Sequence, residues 1–65
     1  MKLYKIYLDK PIIKETTLIE AIDKLEGNGW YKEGTVKEML ENGSVLHDPF
    51  CVYTKSKEQL KDYTK

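Results

Sequence analysis

Lys2-Leu3-Tyr4-Lys5-Ile6-Tyr7-Leu8, followed by Thr17-Leu18-Ile19-Glu20-Ala21-Ile22-Asp23-Lys24-Leu25, changes its hydrophobic period between the two stretches. In the first, Tyr4, Ile6 and Leu8 fall on one face by the two-residue repeat of a strand, with Lys5 flanked by Leu3 and Tyr7 on the other. In the second, Leu18, Ile22 and Leu25 recur at helical spacing, and Ile19 and Ala21 widen the stripe. A strand that leads into an amphipathic helix predicts an α+β fold.

Between the two, Asp9-Lys10-Pro11 is a turn signal, and Ile12-Ile13 is short enough to pair back on the first strand as a hairpin. The helix starts at Thr16 or Thr17, where Thr17-Leu-Ile-Glu20 has the spacing of a capping box. Glu20 and Lys24 form an i,i+4 pair in the favoured order, and Gly27-Asn28-Gly29 ends the helix.

The same grammar recurs further on. Thr35-Val-Lys-Glu38 is a second capping box, followed by the stripe Val36, Met39, Leu40 and the cap Asn42-Gly43. Val45-Leu46 and Phe50-Cys51-Val52-Tyr53 are strand formers interrupted by Asp48-Pro49, which marks either a tight hairpin or an edge bulge. Ser56-Lys-Glu-Gln59 is a third capping box, and Leu60 and Tyr63 supply its narrow apolar contact. The expected fold is one compact α+β domain over residues 1–65. A short antiparallel sheet from residues 2–8 and 44–54 packs against helices near 17–26 and 35–42, with a last helix frayed at its end. The expected core is Tyr4, Ile6, Leu8, Leu18, Ile22, Leu25, Trp30, Val36, Leu40, Leu46 and Val52.

The chain has 65 residues, which leaves room for one domain and a small core that a partner or self-association would support. Its apolar runs are too short to span a membrane, and its lysine-interrupted start does not read as a signal peptide. Cys51 is the single cysteine, so no intrachain disulfide forms, and a reducing, cytoplasmic compartment is expected. All 11 basic residues are Lys, which fits an AT-rich coding sequence such as that of a low-GC bacterium or one of its phages.

The net charge is zero but unevenly spread. Residues 1–14 carry four lysines against Asp9, residues 15–41 seven acids against three lysines, and residues 42–65 four lysines against three acids. The helical middle is acidic and the strand-rich ends are basic.

Catalytic and metal constellations are thin. His47 and Cys51 are the only members of their types, short of both a nucleophile–base–orienter set and a four-ligand zinc site. The carboxylate pairs Glu20 with Asp23 and Glu38 with Glu41 read as solvated helix faces, because Asp and Glu are almost never buried unpaired. The glycines follow helices, where a phosphate loop would precede one. No cofactor or metal is expected, and no enzyme.

The expected function is therefore a small non-enzymatic modulator or inhibitor that binds a larger protein, a basic nucleic-acid-handling protein in the narrower version. Its contact residues would be Glu20, Asp23, Glu26, Glu38 and Glu41 on the acidic helical face, with Tyr31 as an exposed anchor beside them. Trp30 is expected to close the core over the helix ends. A homodimer is compatible with the size of the chain. The alternative is a nucleic-acid-binding regulator using Lys2, Tyr4, Lys5 and Tyr7 of the first strand. The absence of Arg and the acids Glu38 and Glu41 on the second helix weigh against it.

Overall fold

A computed structural model describes residues 1–64. Lys65, the last residue of the helix end expected to fray, lies outside the described residues. The elements are β1 (Leu3–Tyr7), β2 (Ile13–Thr16), α1 (Leu18–Leu25), α2 (Val36–Glu41), β3 (Leu46–His47), β4 (Cys51–Thr54) and a 3₁₀ helix (Lys57–Tyr63). The four strands form one antiparallel sheet in the order β2-β1-β4-β3, so the first and last strands of the chain lie side by side at its centre. The small α+β architecture expected from the periodicities is the one observed, with the pairing at Ile13 extended through Thr16.

Register decides which face of β1 meets the helices. Lys5 pairs with Tyr53 and Tyr7 with Cys51, so these side chains share one face of the sheet. Leu3, Leu46, Cys51 and Tyr53 of that face join Ala21 and Leu25 of α1 and Val36 and Leu40 of α2 in the larger core cluster. The opposite face is covered as well. There Ile6 and Val52 pack with Leu60 of the 3₁₀ helix. A strand whose two faces are both covered can carry apolar residues on either, which is why Leu3, expected opposite the core, is fully buried.

Six of the expected core residues, Ile6, Leu25, Val36, Leu40, Leu46 and Val52, are buried, while Tyr4, Leu18 and Ile22 are half-buried. Leu8 and Trp30 are not in the core. Leu8 lies past the end of β1, where its N–H donates to the Phe50 carbonyl at 2.9 Å and its side chain overhangs the sheet. After α1 the N–H groups of Trp30 and Tyr31 both donate to the Leu25 carbonyl, and it is Tyr31 that packs on the larger cluster. Trp30 is left outside. Ile19 also points away from the core, so the apolar stripe of α1 is narrower than its composition implies.

The helix ends show how local signals were used. The Thr17 hydroxyl accepts the Glu20 N–H at 3.1 Å, as an N-cap should. Thr35 occupies the N-cap position of α2 but does not cap it: its hydroxyl donates to the Lys32 carbonyl at 2.6 Å. The orphan N–H groups there are taken by Glu26 of the preceding helix end, whose carboxylate accepts from Gly34 and Val36 at 2.9 Å each. At the other end of α2, Gly43 at φ 85° closes a Schellman turn, with Gly43 N–H on the Leu40 carbonyl and Ser44 N–H on the Met39 carbonyl. Ser56 likewise makes no side-chain cap, and the segment after it winds as a 3₁₀ helix. Its two apolar residues, Leu60 and Tyr63, are three apart and so align on one side at three residues per turn.

Candidate functional site

The six residues expected on the acidic surface divide into two groups. Glu20, Glu26 and Tyr31 make internal contacts. The Glu20 carboxylate accepts from the Thr16 hydroxyl and lies 3.0 Å from the Lys5 ammonium. Glu26 caps α2. Tyr31, expected to be exposed, is half-buried, and its hydroxyl accepts the His47 N–H at 3.0 Å. Asp23, Glu38 and Glu41 are exposed. Asp23 and Glu26 line one open groove together with Ile22, Gly27 and Glu33, and Glu38 and Glu41 do not reach it.

That groove runs beside the outer face of α1. Ile19 is 81% exposed and lies one turn before Ile22 and Asp23, so a bare aliphatic side chain stands next to an acidic groove. Neither Glu33 nor Ile19 is among the site residues expected from the sequence, where Ile19 reads as part of the apolar stripe of α1. The signal for Glu33 was its place in the loop that Glu26 ties back onto α2, and that tie is not written in any local motif.

The ion pair between buried Lys5 and half-buried Glu20 explains the fate of the lysine-rich strand. The Lys5 side chain is only 11% exposed, and its ammonium also lies 5.2 Å from the centre of the Tyr7 ring. Burial disfavours its charge, but hydrogen bonds to Glu20 and Tyr7 outweigh that and hold the ammonium above its ordinary value. Glu20 is held below the usual carboxylate value, first by the Thr16 hydroxyl and then by Lys5. Glu26 is also lowered, by the N–H groups of Gly34 and Val36. Lys2 faces Glu15 across the β1–β2 pair at 3.4 Å, with both side chains in solvent.

A cleft above the Lys5–Glu20 pair is lined by Tyr7, Lys24, Asp48, Phe50, Cys51 and Tyr53. Burial and the Asp48 charge push the Cys51 thiol up, away from the thiolate that nucleophilic chemistry requires. Burial raises the neighbouring Tyr53 hydroxyl as well. His47 pairs with Val52 in the β3–β4 ladder and Cys51 with Tyr7 on β1, so the imidazole and the thiol leave opposite faces of the sheet. Among the described residues, no three His, Cys, Asp or Glu side chains gather as a metal site.

The hairpin beside this cleft is held by Asp48. Its buried carboxylate accepts the N–H groups of Phe50 and Cys51 at 2.7 Å each, and its own N–H donates to the Cys51 carbonyl, so Asp48-Pro49 is a tight hairpin turn and not a bulge. This rigid turn carries Phe50 outward. Tyr7, Leu8, Asp9, Pro49 and Phe50 line one shallow depression and Trp30, His47, Asp48 and Pro49 another, with Pro49 common to the two.

The chain thus offers an acidic groove with an aliphatic neighbour, and a second end where Leu8, Trp30 and Phe50 are exposed beside Asp9. No helix among the described residues is long and apolar enough to cross a membrane. Compared with family models, with curated proteins and with solved structures, the chain matches none.

Proposed function

We propose that this chain is a non-enzymatic binding module that modulates a larger protein through the acidic outer face of α1. The observation that carries the reading is Ile19, an 81% exposed isoleucine beside the groove of Asp23, Glu26 and Glu33. An isolated apolar side chain surrounded by one sign of charge fits a partner that offers an apolar socket within a basic surface. The charges raise the encounter rate and the aliphatic contact holds the complex. Glu38 and Glu41 on α2 extend the acidic character of the helical layer and belong to the steering field.

The nucleic-acid alternative draws on Lys2 and Lys5, and both ammoniums already face carboxylates of the same chain. Support therefore lies with the protein-binding reading, whose narrower form has the acidic layer occupying the basic groove of a nucleic-acid-handling protein.

The test uses the immobilised chain and nuclease-treated lysate of a low-GC bacterium, with Ile19→Arg and Asp23→Lys/Glu33→Lys as parallel baits. The reading expects a protein retained by the unaltered chain and lost from both variants, with nuclease making no difference. Retention by all three baits, or retention that nuclease abolishes, would overturn it.

A further inference from the structure

We propose that the cleft above the Lys5–Glu20 pair is a binding site for a small aromatic carboxylate. Its volume is about 380 Å³, at the small end of the range of small-molecule sites, which suits a ligand of one ring. The ring of Tyr7 and the ring of Phe50, 71% exposed, form two of its walls, and the buried side chains of Cys51 and Tyr53 line it from the core. Aromatic walls favour a ring that packs against them edge-on or offset.

The charged groups decide the sign of the ligand. The Glu20 carboxylate accepts from the Thr16 hydroxyl and faces the Lys5 ammonium at 3.0 Å. Asp48 accepts the Phe50 and Cys51 N–H groups at 2.7 Å each. Both acids of the cleft are therefore engaged inside the fold, whereas its cations have donors left. An ammonium carries three N–H groups, and Lys5 uses two of them on Glu20 and Tyr7. The ion pairs among the described residues engage Lys2, Lys5 and Lys61, so exposed Lys24 at the rim of the cleft is in none. Lys14, across the β1–β2 pair from Lys5, is in none either, and its ammonium lies 5.8 Å from the centre of the Tyr7 ring.

Lys5, Lys14 and Lys24 against Glu20 and Asp48 leave one positive charge, the complement of a monoanion. A phosphate dianion would find neither a second net charge nor an arginine, of which the chain has none. Exposed Asp9 lines the neighbouring depression, which Tyr7 and Phe50 also border, and does not line the cleft. A ligand that spread past Phe50 would meet that acid, so the anion is confined to the lysine side. The cleft shares no lining residue with the α1 groove: Glu20 and Lys24 stand on one flank of α1, and Asp23 and Glu26 on another. A ligand held here leaves the proposed protein-binding face open.

The test is a titration of the isotope-labelled chain with phenylacetate and with benzoate at fixed pH and ionic strength, read from amide shifts. Acetate and benzyl alcohol serve as the charge alone and the ring alone. A ligand of about ten non-hydrogen atoms at ordinary ligand efficiency binds in the millimolar range, which a titration to ~50 mM covers. The expected result is a saturable shift confined to the amides around Tyr7, Lys24, Phe50 and Cys51, with acetate and benzyl alcohol at least about fivefold weaker. Lys24→Gln should weaken the aromatic carboxylate about two- to fivefold and Phe50→Ala about two- to tenfold. Both positions are exposed, and unchanged circular dichroism shows that the fold persists. Lys5 is left intact because its burial ties it to folding. No saturable shift with either carboxylate, shifts scattered over the surface, an equal response to acetate or benzyl alcohol, or unaltered affinity in either variant overturns the proposal.

Discussion

Glu26 and Thr35 show how one residue can take over another's task. Thr35 has the same sequence neighbourhood as Thr17, with Glu three positions on, yet only Thr17 caps its helix. The difference comes from a carboxylate nine positions upstream of Thr35 that already holds the Gly34 and Val36 N–H groups. Thr17→Ala is expected to cost about 1 kcal/mol of unfolding free energy. Thr35→Ala should cost less than Glu26→Gln, and urea midpoints of the three variants check the order. The linked acid response has a definite sign. Glu20 and Glu26 titrate below their ordinary value of 4.5 in the folded chain, so their contribution is complete above that pH and is lost as pH falls through the depressed values. Lys5 titrates above 10.5, so its share is complete below that pH and is lost as pH rises through the folded value. Urea midpoints measured from pH 7 to pH 3 should fall, and Glu20→Gln/Glu26→Gln should flatten that fall. The exchange of Trp30 and Tyr31 has an equally local cause. Two adjacent aromatics after a helix are equivalent in a one-dimensional pattern, and only the return of the chain to the Leu25 carbonyl decides which turns inward.

The elements were legible where periodicity was strong. The strand at the N-terminus, both α-helices, the Gly43 cap and the Phe50–Tyr53 strand material all stand close to where the pattern put them. What the pattern did not carry was the layer on the second face of the sheet. Ser56-Lys-Glu-Gln59 reads as an α-helix start, yet the segment winds as 3₁₀ around a single buried leucine. Its Gln59 does not cap the helix backbone: it accepts the hydroxyl of the buried Thr54 at 2.5 Å and donates to the Gly43 carbonyl. That layer covers the Ile6 face of β1 while α1 and α2 cover the face of Leu3 and Lys5, so both faces of the strand are interior. Leu60→Ala is expected to cost about 2–4 kcal/mol, because Leu60 seals Ile6 and Val52. Tyr63→Ala, at a half-exposed position, should cost far less. Thermal melts of the two variants check whether the 3₁₀ helix is part of the cooperative fold or an appendage.

For the whole molecule, the uneven charge distribution was legible in the sequence, and the structure changes which acids can use it. Glu20 and Glu26 hold the fold together, whereas Asp23, Glu33, Glu38 and Glu41 face solvent. Tyr31 is half-buried and Ile19 exposed, so the anchor we propose is Ile19; a stripe read from composition cannot say where its edge leaves the core. If the acidic layer steers a basic partner, Glu38→Lys/Glu41→Lys should slow association and reduce its salt dependence. Lys2→Glu/Lys10→Glu, at the basic end, should leave both little changed. Stopped-flow association at two salt concentrations distinguishes them. Titration calorimetry of the retained partner against the unaltered chain and Ile19→Arg decides whether the outer face of α1 binds, as we propose. The predicted result is at least a tenfold loss of affinity, equivalent to about 1.4 kcal/mol, with an unchanged melting temperature. Equal affinity for the two chains would contradict it.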